Sequence, residues 1–277
     1  MKLMLGRWVI AGAACLLSGS VAMAQERPGF DDTPYLPGSE WRVHDPARPY
    51  PEVVTPGDAP GAPPSDAIVL FDGSSLEAWQ AQGAAWTVSD GVMTVPPRAP
   101  GSGESALVSR ESFGDVQLHL EFRSPNPPEH TSQDRGNSGI WFMQRYEIQI
   151  LDSYDNPTYA DGSAGAIYGW KPPLVNPSRP PGEWQSYDIV FERPRFGEDG
   201  ELLRPAYITA FLNGVLVQNR QPWLGETVWR DLGRYTPHED VAPIQLQDHS
   251  SPVSFRNIWV RRLPEAAVNH DFPEAGQ

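Results

Sequence analysis

From Ser65 onward the chain never sustains the apolar repeat that a helix needs, and this constrains its fold more than any other feature. What recurs instead is short runs of alternating apolar and polar residues, each closed by Gly, Pro, Asn or Asp. Such runs put one face of a sheet in a core and the other in water. The expected strands are Ile68–Phe71, Trp86–Val88, Val92–Val95, Ala106–Ser109, Val116–Arg123, Ser138–Met143 and Tyr146–Asp152. They continue with Ala166–Tyr168, Gln185–Glu192, Ala206–Leu212, Val215–Asn219, Ile244–Gln247 and Val253–Arg262. Asn213-Gly214 supplies the positive φ angles of a two-residue hairpin. Strands at this spacing without helices between them predict an all-β fold, an antiparallel two-sheet sandwich over about residues 65–263. In VQLHLEFR, Val116, Leu118, Leu120 and Phe122 share one side and Gln117, His119, Glu121 and Arg123 the other. The alternation slips between Phe255 and Ile258, which predicts a bulge near Arg256 and Asn257.

The flanks differ from this body. Residues 1–24 read as a secretory signal: Lys2 and Arg7, an apolar run from Trp8 to Leu17, then Ala22-Met23-Ala24 as a cleavage site. The apolar run is short for a bilayer span, so no membrane association is expected once it is removed. Cleavage also removes Cys15, the chain's one cysteine, leaving no disulfide, thiol nucleophile or thiolate ligand. Residues 25–64 are dense in proline, which excludes helix and interior strand, and 56–64 resemble a linker. Phe30, Tyr35, Trp41 and Tyr50 predict that 35–54 lies extended with its aromatics as anchors. Residues 264–277 are expected to be a tail beyond the sandwich. A formal charge of −14 makes nucleic acid and anionic membrane poor partners. Oligomeric state is left open.

The strand YEIQILD, 146–152, carries Glu147, Gln149 and Asp152 beside the apolar Ile148 and Ile150. Its polar side either faces solvent or floors a cleft. Nine ordered blocks bear on the choice: LFDGSSLEAW, WTVSDGVM, FGDVQLHLEFRSP, GNSGIWF, YEIQILD, GAIYG, GEWQSYDIVFE, FLNGVLV and IQLQDHSSPVSFRNIWVR. From about Ile68 to Arg262 the chain resembles the 3-keto-disaccharide hydrolase domain family. That resemblance implies a concanavalin-like, laminarinase-like jelly roll, exported by bacteria. It also implies a carbohydrate substrate, a glycoside whose C3 hydroxyl has been oxidised to a ketone.

Laminarinase-type jelly rolls carry Glu-x-Asp-x-x-Glu on a cleft strand, whereas this chain has Glu147-x-Gln149-x-x-Asp152. A retaining glycosidase needs paired carboxyl groups about 5 Å apart. A 3-keto sugar needs less, because the ketone acidifies C2–H and a single base can start an elimination. Strand phase and the resemblance together make Glu147 the candidate base and His249 the acid or carbonyl polariser. Gln149 and Gln247 would hold hydroxyls. Asp152, Asn137, Tyr168 and Lys171 join them as substrate-binding candidates, with Glu121 and Arg123 if the polar side of VQLHLEFR lines the groove.

Each residue also has a structural reading. Glu147 could pair with Arg123 or Arg145, His249 and Asp152 could serve turns, and Asn137 could take a left-handed conformation. Trp141, Tyr168 and Trp184 could be core aromatics, and Lys171 a solvated lysine. His44, His119, His130, His238, His249 and His270 lack zinc-protease spacing, and Asp155, Asn156 and Asp161 lack EF-hand spacing, so no metal or cofactor is expected. A noncatalytic carbohydrate-binding module and a direct laminarinase-like glycosidase stand as alternatives.

Overall fold

The computed structural model describes residues 27–96 and 105–264. The expected signal segment, and the tail beyond Pro264, lie outside the described residues. Contacts divide the chain into two compact units between Glu52 and Val53.

In the first unit the backbone doubles back rather than running extended. Tyr35 and Arg42 form an isolated antiparallel bridge, and Phe30 N–H donates to His44 O at 3.0 Å. Phe30, Tyr35 and Tyr50 are exposed, so they are not buried anchors. Cations cover two of these rings instead: the Arg42 guanidinium lies 4.0 Å from the Tyr35 centroid and Arg27 5.1 Å from that of Tyr50.

The second unit begins before Ser65 because the supposed linker is bonded into it. Gly61 O accepts from Asn257 Nδ2 at 2.9 Å and from Trp259 Nε1 at 2.8 Å. A proline-rich strap has few N–H groups to offer but keeps every carbonyl.

Among the described residues the strands are β1 Ile68–Phe71, β2 Trp79–Gln82, β3 Thr87–Ser89, β4 Val92–Thr94, β5 Ala106–Phe113, β6 Val116–Arg123, β7 Ser138–Phe142 and β8 Tyr146–Ile150. They continue as β9 Gln185–Glu192, β10 Arg195–Phe196, β11 Leu202–Arg204, β12 Tyr207–Leu212, β13 Val215–Pro222, β14 Ala242–Gln247 and β15 Ser254–Arg262. The larger sheet runs β13-β12-β9-β6-β15-β4-β3, with β1 also on β15. The smaller runs β2-β5-β14-β7-β8, and β10 and β11 form a separate ribbon. The strand pairs are antiparallel, and the two sheets make a concanavalin-like jelly-roll sandwich.

The core is where strand alternation places it. Val116, Leu118, Leu120 and Phe122 of β6 are buried, as are Ile140, Phe142, Ile148 and Ile150 of the smaller sheet. Burying each such side chain stabilises by about 1.5–3 kcal/mol. Phe142 stacks on Phe191 of the other sheet at 4.5 Å, and Tyr187 O–H donates to Gln149 O at 2.7 Å. The hairpin turn has Asn213 at φ 53° and Gly214 at 77°. The register of β15 against β6 shifts between Arg256 and Trp259, with Asn257 at φ 47°. Ala166–Tyr168 is not a strand; Ile167 alone bridges to Ile148 and Lys171.

Candidate active site

The outward face of the smaller sheet carries the polar half of its alternation. Across neighbouring strands Gln245 of β14 stands opposite Trp141 of β7, which stands opposite Glu147 of β8. Two residues along, on the same face, Gly139 stands opposite Gln149. Loops cover the β8 end: Gln149 N–H donates to Ala166 O at 2.9 Å and Tyr168 N–H to Glu147 O at 3.3 Å. Glu147 N–H donates to Thr227 Oγ1 at 3.0 Å. The strand is therefore buried on both faces, although its sequence alternates.

Between sheet and loops lies a chamber of about 380 Å³, lined by Asn137, Trp141, Glu147, Gln149, Tyr168, Thr227, Trp229, Gln247 and His249. Glu147 is the one carboxylate among them. It is 3% exposed, and among the described residues its carboxyl has neither a hydrogen-bond donor nor an ion-pair partner. Burial pushes its pKa up to about 8. The structural reading of Glu147 does not hold: Arg145 pairs with Glu226 at 2.7 Å, and Arg123 lies over the Trp184 ring at 4.7 Å.

Gln149 is held by its amide nitrogen, which donates to Gln133 Oε1 at 3.2 Å and Asn137 Oδ1 at 3.4 Å. Its Oε1 is buried without a partner. Asn137 Nδ2 donates to Gln133 O at 2.6 Å, and Gly136, not Asn137, takes the left-handed conformation. His249 follows β14 on a turn pinned by the buried Asp248, which accepts from Ser105 Oγ at 2.5 Å and Ser250 N–H at 2.7 Å. Tyr168 O–H and Tyr159 O–H are 2.9 Å apart, and burial with this hydrogen bond raises the Tyr168 pKa.

Four residues expected at the site lie elsewhere. Glu121 is on the larger sheet, bound to Arg256 Nε at 2.6 Å and Asn257 Nδ2 at 2.9 Å. Arg123 is on the same strand, and the polar side of β6 does not line the chamber. Asp152, 4% exposed, accepts from Arg135 Nε at 2.8 Å and caps Tyr154 N–H at 3.2 Å, so it fixes a turn. Lys171 is exposed, and its carbonyl accepts from Ile167 N–H. In the loop weighed for calcium, Asn156 is spent on Ser132 and Asp152 backbone, and no group of three His, Cys, Asp or Glu among the described residues could hold a metal.

Sequence reasoning missed Gln133, Thr227 and Trp229. Gln133 lies in a single 3-10 turn, Ser132–Asp134, and Thr227 and Trp229 in an irregular segment, and neither is long enough or regular enough for a period to mark the side that faces inward. Trp229, 71% exposed, also lines an outer cavity of about 940 Å³ that shares Asn137, Tyr168 and His249 with the chamber.

No curated protein matches the chain. A crystal structure of a candidate glycosyl hydrolase from Parabacteroides distasonis ATCC 8503 is 42% identical with a TM-score of 0.73, covering 82% of this chain and 99% of that one. A second from the same organism, 18% identical with a TM-score of 0.50, covers 72% and 94% and shares the fold. Residues 66–261 match the 3-keto-alpha-glucoside-1,2-lyase-like domain, and with that match over most of its length the chain belongs to this domain family.

Proposed function

We propose that the chain is an exported enzyme that cleaves 3-keto-glycosides by removing the C2 proton, with Glu147 as the base. The observation that carries this reading is the solitary, unpaired Glu147 carboxyl in a chamber otherwise lined by neutral or aromatic groups and His249. A carboxylate of pKa about 8 is a stronger base than an ordinary one and is matched to neutral solution. A direct glycosidase would need a second carboxyl facing the same bond, about 5 Å away to retain configuration or about 6.5–9.5 Å away to invert it. Asp152, the natural candidate just beyond β8, is committed to Arg135 and does not line the chamber.

In the step we propose, Glu147 takes the C2 proton and the C–H electron pair spreads onto the C3 carbonyl oxygen. That pair then forms the C1–C2 double bond as the C1–O bond breaks. The leaving oxygen keeps the bonding electrons and takes a proton from His249. Water adding across the enone gives net hydrolysis. Gln149, Gln247 and Asn137 stand where sugar hydroxyls would meet donors and acceptors, and the buried, unpartnered Gln149 Oε1 is an acceptor awaiting one. The lyase-like description of the matched domain supports elimination as the first chemical event.

Matched glucosides and 3-keto-glucosides incubated with the protein, with both products weighed by mass spectrometry, test this reading. The expectation is cleavage of the keto form alone. Cleavage of plain glucosides points to a direct glycosidase, and binding without turnover of either points to a carbohydrate-binding module.

A further inference from the structure

The loop that follows β13 is closed on itself and rooted on the strand that carries Glu147. Glu226 N–H donates to Arg234 O at 3.1 Å, Thr227 N–H donates to Arg145 O at 2.8 Å, and Thr227 Oγ1 accepts from Glu147 N–H at 3.0 Å. Yet this braced loop holds two large apolar side chains in the open, Trp229 at 71% exposure and Leu232 at 69%. Both line the outer cavity of about 940 Å³, where Tyr159 and Tyr168 join them. The two tyrosine hydroxyls are 2.9 Å apart, and the rings meet edge to face at 6.3 Å. Arg230 stands at φ 58° beside Trp229, its guanidinium 5.2 Å from the indole centroid. Apolar surface held in the open on a braced and strained backbone marks a binding face.

We infer that the outer cavity takes a planar, uncharged aromatic group as the aglycone, so that the bond cleaved is that of an aryl glycoside. The inference rests on the reading of Glu147 and His249 given above. His249 lines both the chamber and the outer cavity, so an oxygen that takes its proton sits where the two meet, with the sugar on the Glu147 side and the aglycone on the other. When C1–O breaks, the bonding pair stays on that oxygen and the proton from His249 makes it a phenol. A phenol oxygen spreads the departing charge over its ring, so it leaves more readily than an alcohol oxygen. Tyr159, Tyr168, Trp229 and Leu232 offer flat apolar surface to a flat apolar partner. Asp134, Asp161 and Asp231 outnumber Arg230 on the cavity wall, which disfavours an anionic substituent and supplies acceptors for ring hydroxyls.

The test is calorimetric titration of Glu147→Gln, which lacks the base in either chemistry and leaves glycosides intact. The ligands are methyl, phenyl and 2-naphthyl glucosides of both anomers, with 4-carboxyphenyl glucoside and maltose as counterparts. In at least one anomer the 2-naphthyl glucoside should bind about tenfold or more tightly than the methyl glucoside, the gain expected from stacking and ring burial. Adding Trp229→Ala or Leu232→Ala should cut that ratio by about threefold or more. Both side chains are exposed, so their truncation leaves the fold intact. Absence of the aryl preference, whether both glucosides bind alike or neither binds, overturns the inference. So does a ratio unmoved by both truncations, or tighter binding of the carboxylate or of maltose. Turnover of a 3-keto-glycoside by wild type is measured separately, so failure of the chemistry and failure of the aryl site are read independently.

Discussion

A methyl group placed on Gly139 would stand 2.2 Å from Oε1 of Glu147, closer than atoms can approach. Gly139 has no positive φ to explain it, so its role is to leave room for that carboxyl on the sheet face. Gly139→Ala should therefore push the Glu147 side chain out of place while β7 keeps its pairing. We expect kcat/KM on a 3-keto-glycoside to fall by at least about 10²-fold, the low end of a general base's contribution, with an unchanged far-UV spectrum. Retention of full activity would show that the carboxyl's position is not critical.

The raised pKa of Glu147 makes a stability prediction. In the folded state the carboxyl holds its proton up to about pH 8, whereas the unfolded chain releases it near 4.5. Between those values unfolding releases a proton, so stability falls as pH rises, by up to about 1.4 kcal/mol per pH unit from this one group. Glu147→Gln should flatten that slope, and above pH 7 it should unfold at higher temperature than wild type. Parallel pH-stability curves for the two would contradict burial of a titrating Glu147.

The same group sets a rate profile. A base must be ionised to act, and His249 acts only on the later departure of the leaving group, so with removal of the C2 proton limiting the rate kcat/KM of wild type should climb with pH towards a plateau above about 8. A profile that falls through this range would assign Glu147 the role of acid instead.

Asp152 separates the elimination from a two-carboxylate glycosidase. It and Arg135 are 2% and 13% exposed at the side chain, so Asp152→Asn breaks a largely buried ion pair at a cost of about 3 kcal/mol. The expected result is a lower melting temperature with turnover per folded molecule preserved. A folded variant that has lost turnover would return Asp152 to the chemistry.

Much of the fold was legible because alternation is a local signal. β1, β6 and β9 have the boundaries read from sequence, the Asn213-Gly214 turn was marked by residue type, and the bulge at Asn257 by a slip in the alternation. β2, with its sequence WQAQ, was missed because it lacks β-branched residues, and β10 and β11 because they are short and their inward groups include Arg195 and Arg204. The same period that found Glu147 misplaced Glu121: alternation separates two faces of a strand but not the outer faces of two sheets. Tyr168 and His249 were found through quoted motifs, while Thr227 and Trp229 sit in a loop brought to β8 by contacts distant in sequence.

Removal of the C2 proton by Glu147 leaves its mark in the isotope at C2. Wild type is given a 3-keto-glycoside in deuterated water, and the released sugar is examined at early times against a no-enzyme control for slow enolisation. Deuterium at C2 or an unsaturated intermediate is expected, both lost with Glu147→Gln along with about 10²–10⁴-fold of the rate. Early product with C2–H intact and no unsaturated intermediate would contradict it.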